Sequence, residues 1–479
     1  MTAGGATVWS TLDWLLLVER ELLAFAAFWF CVGLLDELVV DLAWFGLKLT
    51  GRAKTARLPV GYGAEPLSGA AAVLIPAFRE SQVIGATIAH MLAAWPQREL
   101  TVYVGCYRND AATLAAAMAA ARDDPRVRLV ALRAAGPTTK ADCLNRLYRA
   151  MANDETRQVK RFSTVLLHDA EDMVHPCGLQ AIDAALMLRD FVQLPVRPEP
   201  QARSRWIAGH YADEFAENHA KALVVRGALG AALPAAGVGC GFSRGALGSL
   251  ALRRAAEGEP GPFAPECLTE DYELGLVMSN EGRGSAFLRL RDDDGALIAT
   301  RSYFPNRLDA AVRQKTRWIH GIAFQGWDRL GWTLHSVDLW MALRDRRGPL
   351  TALVLAAAYV LLVIDAVLLV LRLMGKAPML TLSPSLRLML LASFAGFVWR
   401  AASRAAFTGR EYGWREGLFA VLRIPIANII AIMAGRRALT AYLRSLQDGK
   451  VVWDKTVHDA HPASAVLTRP APKLQAVPR

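Results

Sequence analysis

Six cysteines are scattered through the chain and no two form a CxxC pair. The sequence therefore contains neither a disulfide framework nor a zinc-binding spacing, and the thiols read as reduced and mostly buried. There is no GxxxxGKS/T phosphate loop, which disfavours an ATPase, and no HExxH, which leaves His168 and His175 without metalloprotease spacing. No nucleic-acid-binding module is recognisable, so the formal charge of +11 does not point to DNA or RNA as a partner. A removable leader is missing too. Acidic residues precede the first apolar run and no small-residue cleavage site follows a basic start, so an uncleaved anchor is expected.

What the chain has in quantity is apolar sequence, 53% of 479 residues, concentrated toward its two ends. Trp14 to Leu35 is long enough to span a bilayer, and Glu37 and Asp41 fall at its end. Pro349 to Met374 is the clearest span, interrupted only by Asp365 and Arg372. Leu388 to Phe407, with Arg400 and Arg404 at its end, completes a hairpin. Gly417 to Gly435 contains Arg423, Pro425 and Asn428 and has basic flanks on both sides, a pattern that favours an interfacial or re-entrant helix. Basic residues beside the runs, such as Lys48, Arg52, Arg344, Arg347, Arg436 and Arg437, place the intervening domain on the cytoplasmic side against anionic lipid. The expected organisation is an anchor with juxtamembrane segment over 1–57, a cytosolic domain over 58–345, a hairpin over 346–410, an interfacial segment over 411–460 and a disordered Pro/Ala-rich tail over 461–479.

Between the anchors the pattern is strand, loop, helix, repeated. Ala72 to Ile75, Leu100 to Gly105, Val127 to Ala131 and Thr164 to His168 read as strands, the first three each followed by a helical stretch. Such alternation predicts an α/β domain with a parallel sheet and with ligands at the carboxyl ends of its strands.

Three groups of residues at those positions can carry chemistry. In Leu166-Leu167-His168-Asp169-Ala170-Glu171-Asp172 an apolar strand runs into three carboxylates within four residues. Carboxylates so crowded repel one another unless a hard cation or a basic side chain neutralises them, and Mg²⁺ or Mn²⁺ bridging a diphosphate would do so; the bland alternative is a solvated acidic turn. Thr269-Glu270-Asp271 reads either as a helix N-cap with an acidic first turn or as the site of a general base, Asp271, for an acceptor hydroxyl. In Gln314-Lys315-Thr316-Arg317-Trp318, positions 314, 317 and 318 share one helical face. Arg317 can stabilise a diphosphate leaving group while Trp318 offers an aromatic platform for a sugar, or the pair is a core Trp beside a surface Arg.

Taken together and in this order, the three groups resemble the DxD-like, TED and QxxRW motifs of the membrane-bound, synthase-type family 2 glycosyltransferases. Also similar are Ile75-Pro76-Ala77-Phe78-Arg79-Glu80, Lys140-Ala141-Asp142-Cys143-Leu144-Asn145 and Gly239-Cys240-Gly241-Phe242-Ser243-Arg244. The phrasing of HDAEDMVHP, PECLTEDYELGL, QKTRWIHGIAFQGW and Trp453-Asp454-Lys455-Thr456 resembles the phage adsorption protein B branch of that family, which is associated with an envelope polysaccharide containing N-acetylmannosamine.

The resemblance implies a GT-A fold with added transmembrane helices in the bacterial inner membrane, and inverting transfer from a UDP-sugar, an N-acetylhexosamine donor, to a glycan or lipid-linked acceptor. It implies that Asp169, Glu171 and Asp172 hold Mg²⁺ or Mn²⁺ with the donor diphosphate, and that Asp271, beside Glu270, is the base. Gln314, Arg317 and Trp318 would sit over donor and acceptor. Pro76, Glu80 and Asp110 would lie by the uridine, with Lys140 and Asn145 near the phosphates or ribose. Two departures stand out: the usual acidic pair after the second strand is Asn109-Asp110, and the DxD equivalent is Asp-Ala-Glu-Asp. Longer members of the branch carry a cyclic di-GMP sensing domain after the membrane helices, which is not expected in this chain. Single-sugar transfer to a polyprenyl phosphate and a non-catalytic scaffold are the competing expectations, and an outer-membrane exporter or receptor is a candidate partner.

Overall fold

The computed structural model describes residues 9–448 and 460–463. Helix α1 (Thr11–Leu49) opens with a capping box, in which Ser10 Oγ accepts from the Asp13 amide while the Asp13 carboxylate accepts from the Ser10 amide.

The central sheet has seven strands within the described residues: β1 (Ala70–Ala77), β2 (Leu100–Tyr107), β3 (Val127–Leu132), β4 (Phe162–Leu167), β5 (Phe191–Gln193), β6 (Cys240–Ser243) and β7 (Ser285–Phe287). Their order is β3-β2-β1-β4-β6-β5-β7. The first four strands are mutually parallel, β6 runs against both of its neighbours, and β5 pairs parallel with β7. In β1, Val73 lies opposite Val102 on one side and Leu166 on the other. Residues Ala71–Ile75 are buried on both faces, which is why this strand reads as a continuous apolar run.

Helices α2 (Ile84–Ala94), α3 (Ala111–Ala121) and α5 (Gly178–Leu186) cover one face, with Ile84, Ile88, Met91, Ala117 and Ile182 packed on Val73, Ile75 and Val104. Helix α4 (Lys140–Gln158) covers the other face through Leu144, Leu147 and Met151, set against Ala72 and Leu74. Helix α6 (Gly209–Glu217), a π turn at Asn218–Ala222 and α7 (Leu223–Ala228) follow, and α8 (Arg244–Ala256) and α9 (Glu270–Ser279) extend the α4 layer.

The chain then forms α10 (Leu308–Ile319), a π turn at His320–Gln325, α11 (Gly326–Leu330) and α12 (Ser336–Arg346), and enters α13 (Gly348–Leu373), α14 (Pro384–Tyr412), α15 (Trp414–Leu422) and α16 (Ile424–Asp448). Among the described residues four helices are long and apolar enough to cross a membrane: α1, α13, α14 and residues Ile424–Gln447 of α16.

The stretch 411–460, read from the sequence as an interfacial or re-entrant segment, is described as far as Asp448. Two helices meet at Arg423, next to Pro425, whose ring disfavours helical backbone at the preceding residue. The Arg423 guanidinium faces protein: it is 1% exposed and bonds Asp213 of α6 through two nitrogens at 2.6 and 2.8 Å and Glu416 at 2.8 Å.

Opposite charges join the membrane helices to the α/β domain. Lys221, in the π turn, is buried between Asp41 of α1 and Glu217, the latter at 2.8 Å. Arg400 of α14 bonds Glu37 at 2.9 Å and Glu217 at 2.7 Å, while Arg344 bonds Glu37 at 3.0 Å. Trp399 and Trp340 donate to Asp41 and Asp36, both at 2.7 Å. Charges that would be costly against lipid are thus satisfied against each other.

Candidate active site

The carboxyl ends of β1 and β4 open into a cavity of about 810 Å³. The turn after β4 brings Asp169 and Glu171 to its wall, α4 contributes Lys140 from its first turn, and the start of α9 contributes Glu270 and Asp271. Lys140 Nζ lies 2.6 Å from Asp169 Oδ1. Burial lowers the Lys140 pKa, but the charges of Asp169, Glu270 and Asp271 outweigh it and the net shift is upward, so the ammonium is retained.

Burial raises the carboxyl of Glu270 to about 7, with the Asp271 charge adding to the effect. Burial also raises Asp271, against the opposing pull of Lys140. Asp271 Oδ1 accepts from the Tyr272 amide at 2.8 Å. Thr269 occupies the N-cap position of α9, but its hydroxyl makes no cap bond and is buried without a partner among the described residues.

Gln314, Arg317 and Trp318 of α10 line the same cavity. The Gln314 Oε1 atom is buried and unpartnered among the described residues, a polar atom positioned to meet a ligand. Trp318 packs edge-on to Tyr211 at 6.0 Å and beside Phe304 and Phe215. The helix itself rests on α16, where Tyr211, Ala311, Val312 and Ile430 form one apolar cluster. Of the residues named from the sequence, Pro76, Glu80, Lys140, Asp169, Glu171, Asp172, Glu270, Asp271, Gln314, Arg317 and Trp318 therefore meet in one cavity.

Two others, Asn145 and Asp110, lie off the cavity lining, whereas Asp172 lines it but is held by neighbouring groups. Asn145 is fully buried away from the cavity, its amide donating to Phe263 O at 2.8 Å and accepting from the Phe263 amide at 3.0 Å, which ties α4 to the loop before α9. Asp110 caps α3 through the Thr113 amide and accepts from the amide of Arg79, whose φ of 55° places it in the left-handed region. It braces the loop after β1 and is absent from the cavity lining. Asp172 is turned into the protein, where its Oδ2 accepts from His168 Nδ1 at 2.8 Å and from the Asp169 amide at 2.9 Å; it holds the turn that presents Asp169 and Glu171.

His461, expected in a disordered tail, is buried against that turn and donates from Nε2 to Asp172 O at 3.1 Å. The rest of the expected tail, 464–479, and Trp453-Asp454-Lys455-Thr456 lie outside the described residues.

Two contributors have no signal in the motifs. Gln193 donates to Val238 O at 2.9 Å and accepts from the Ala236 amide at 2.8 Å, pinning the loop before β6 against the cavity. In that loop Gly237 has φ 73°, and a Cβ there would overlap Asp271 Oδ2 and fall 3.1 Å from Lys140 Nζ. Only glycine fits so close an approach.

Among the described residues no three His, Cys, Asp or Glu side chains are grouped to hold a metal by themselves. Asp169 and Glu171 nevertheless fit a hard divalent cation as part of a ligand set, because Mg²⁺ is ordinarily held by one or two carboxylates with substrate phosphates completing the shell.

The sheet order and the carboxylate-lined cavity at its strand ends define a GT-A-type nucleotide-diphospho-sugar transferase carrying membrane helices. The profile of the glycosyltransferase like family 2 matches residues 69–321, more than half of the chain, and the chain belongs to that family of enzymes. It is 32% identical over 473 residues to bacteriophage adsorption protein B of Escherichia coli K12 and to bacteriophage N4 adsorption protein B of Escherichia coli O157:H7. Each match covers 93% of this chain and 63% of the relative, so the chain spans under two thirds of those proteins. Similar solved structures include a mannosyltransferase from Pyrobaculum calidifontis in complex with GDP-Man and Mn²⁺, at TM-score 0.48 and 15% identity over 87% of this chain and 99% of that one. Another is glucosyl-3-phosphoglycerate synthase of M. tuberculosis, at TM-score 0.34 and 21% identity over 55% and 81%. The fold assignment rests on the family match and the sheet order.

Proposed function

We propose that this chain is an inverting, metal-dependent glycosyltransferase of the bacterial inner membrane, with its α/β domain in the cytoplasm. It takes a UDP-N-acetylhexosamine, with UDP-N-acetylmannosamine the first donor to try, and extends a cell-envelope polysaccharide. The observation that carries the reading is Asp271, a half-buried carboxylate with a raised pKa in the cavity that Lys140, Asp169, Glu171, Arg317 and Trp318 also line.

In this reading Asp271 takes the proton of the acceptor hydroxyl as that oxygen bonds to the anomeric carbon. The bond from that carbon to the diphosphate breaks on the opposite side, and UDP leaves with the electron pair. Lys140 and Arg317 face the negative charge that develops on the leaving group. Asp169 and Glu171 would hold Mg²⁺ or Mn²⁺, which supplies Lewis-acid neutralisation of the diphosphate when bound. Trp318 and Gln314 orient the sugars, through a ring face and an amide oxygen that has no partner among the described residues.

The test is UDP release by purified protein over a panel of UDP-sugars, with Mg²⁺ or Mn²⁺ present and then chelated. Release with one donor, lost on chelation, is the expected result. Silence with every donor and several acceptors would transfer weight to the scaffold reading.

A further inference from the structure

The charges on the cavity wall are segregated. From the strand ends and the starts of α4 and α9, six acidic side chains and one basic one, Lys140, face inward. From α1, the α6–α7 segment, α10, α12, Arg347 at the α12–α13 junction, and α14, eight Lys and Arg side chains face four acidic ones. The acidic half suits a metal and its diphosphate. The basic half lies where the candidate membrane helices contribute the wall, including Leu355 of α13 and Ala427, Asn428 and Ala431 of α16.

Most cations of the basic half have partners: Arg344, Arg400 and Lys221 are held by Glu37, Glu217 and Asp41, and Arg226 by Asp345 at 2.9 Å. Arg317 of α10, which faces the leaving group in the proposed reaction, has no such partner among the described residues, and neither has Arg404 of α14. The Arg404 guanidinium has no hydrogen bond or ion pair among the described residues, and the carboxylates that feel its charge are already engaged, Asp213 by Arg423 and Glu214 by Lys315. A guanidinium left surplus in a partly desolvated cavity is unfavourable until an anion joins it, and its planar fork matches phosphate geometry.

We propose that Arg404 marks an acceptor subsite for the phosphate of a lipid-linked glycan, with the lipid along α13, α14 and α16 and the terminal sugar directed toward Trp318 and Asp271. This rests on the transferase reading of the same cavity and adds the acceptor's class: an amphiphile with a phosphate or diphosphate between tail and sugar. A neutral free glycan would leave Arg404 unanswered.

The probes are farnesyl phosphate, farnesol and inorganic phosphate, titrated calorimetrically into the full chain in phosphatidylcholine nanodiscs, with wild type, Arg404→Gln and Arg404→Lys compared. Farnesyl phosphate is expected to bind wild type at least about tenfold more tightly than the alcohol or free phosphate, the size of one charge-assisted contact. Arg404→Gln should erase that preference, Arg404→Lys should retain part of it, and UDP affinity with Mn²⁺ should stay unchanged in both variants. Equal binding of phosphate and alcohol to wild type, or an unaltered preference in Arg404→Gln, would overturn the proposal. So would equal competition by phosphatidylglycerol, which would make the site a bilayer contact, or lost UDP binding in Arg404→Gln, which would place the residue with the donor. Failure of the transferase reading is distinguishable, because it appears as wild-type protein that neither binds nor turns over a UDP-sugar.

Discussion

Lys140 Nζ and Asp169 Oδ1, 2.6 Å apart, join the first turn of α4 to the acidic turn after β4, and the same ammonium opposes the raised pKa of Asp271. The sign of its effect follows from that. With the cation removed, the charged form of Asp271 loses its main electrostatic support while burial still disfavours it, so the carboxyl titrates higher. Lys140→Met is expected to lower kcat/KM and to move the acid limb of its pH profile to higher pH, because the base must be ionised to act. A pH–rate series on both proteins checks this, and an acid limb that stays put or moves down would separate Lys140 from the base.

Asp271→Asn keeps the size and the hydrogen bond to the Tyr272 amide but cannot accept a proton. Loss of a positioned base costs roughly 100- to 10,000-fold in rate, so kcat should fall within that range while the Kd for UDP with Mn²⁺ holds steady. Retained transfer would remove Asp271 from the base role, and lost UDP binding would make it a donor ligand instead.

Gly237→Ala tests the closeness of the loop before β6. The φ of 73° at this position costs an alanine about 1–2 kcal/mol, and the new methyl would crowd Asp271 Oδ2 and Lys140 Nζ. A small fall in Tm with a much larger fall in kcat is the expected pattern. A variant with lowered Tm and normal kcat would show that the loop yields without disturbing the carboxylate.

Much of the sheet and most of the cavity were legible in the sequence because the information is local. A buried parallel strand such as Ala70–Ala77 is a continuous apolar run, and chemistry gathers at strand ends. What was illegible is long-range pairing. Asp110, Asn145 and Asp172 sit in or beside motif segments, but spacing does not reveal that Arg79, Phe263 and His168 take up their side chains. Arg423 was read as a cation at a membrane surface because its partner, Asp213, lies 210 positions away. Arg344 and Arg400, read as juxtamembrane charge, bond Glu37. Gly237 and Gln193 act through backbone approach and loop anchoring, which leave no compositional trace.

His461 gives the last prediction. Its Nδ1 accepts from the Ala463 amide at 3.0 Å, so Nε2 carries the hydrogen that it gives to Asp172 O. Asp172 in turn receives the Asp169 amide and His168, so one buried imidazole supports the turn that presents Asp169 and Glu171. Glutamine can place its amide nitrogen near the position of Nε2, whereas asparagine reaches only as far as Nδ1 and alanine supplies nothing. Backbone exchange across 168–176 in metal-free protein should therefore quicken in His461→Ala and His461→Asn and stay near wild type in His461→Gln, with 100–107 unaffected in all three. Outer-sphere supports of metal ligands typically contribute 10- to 100-fold in affinity, so Mn²⁺ binding in the presence of UDP should weaken by on the order of 10-fold in the same two variants. Identical protection of 168–176 in all four proteins would mean that the turn holds its shape without His461; slowed exchange in His461→Gln relative to alanine, together with recovered Mn²⁺ affinity, would assign the support to that single hydrogen bond.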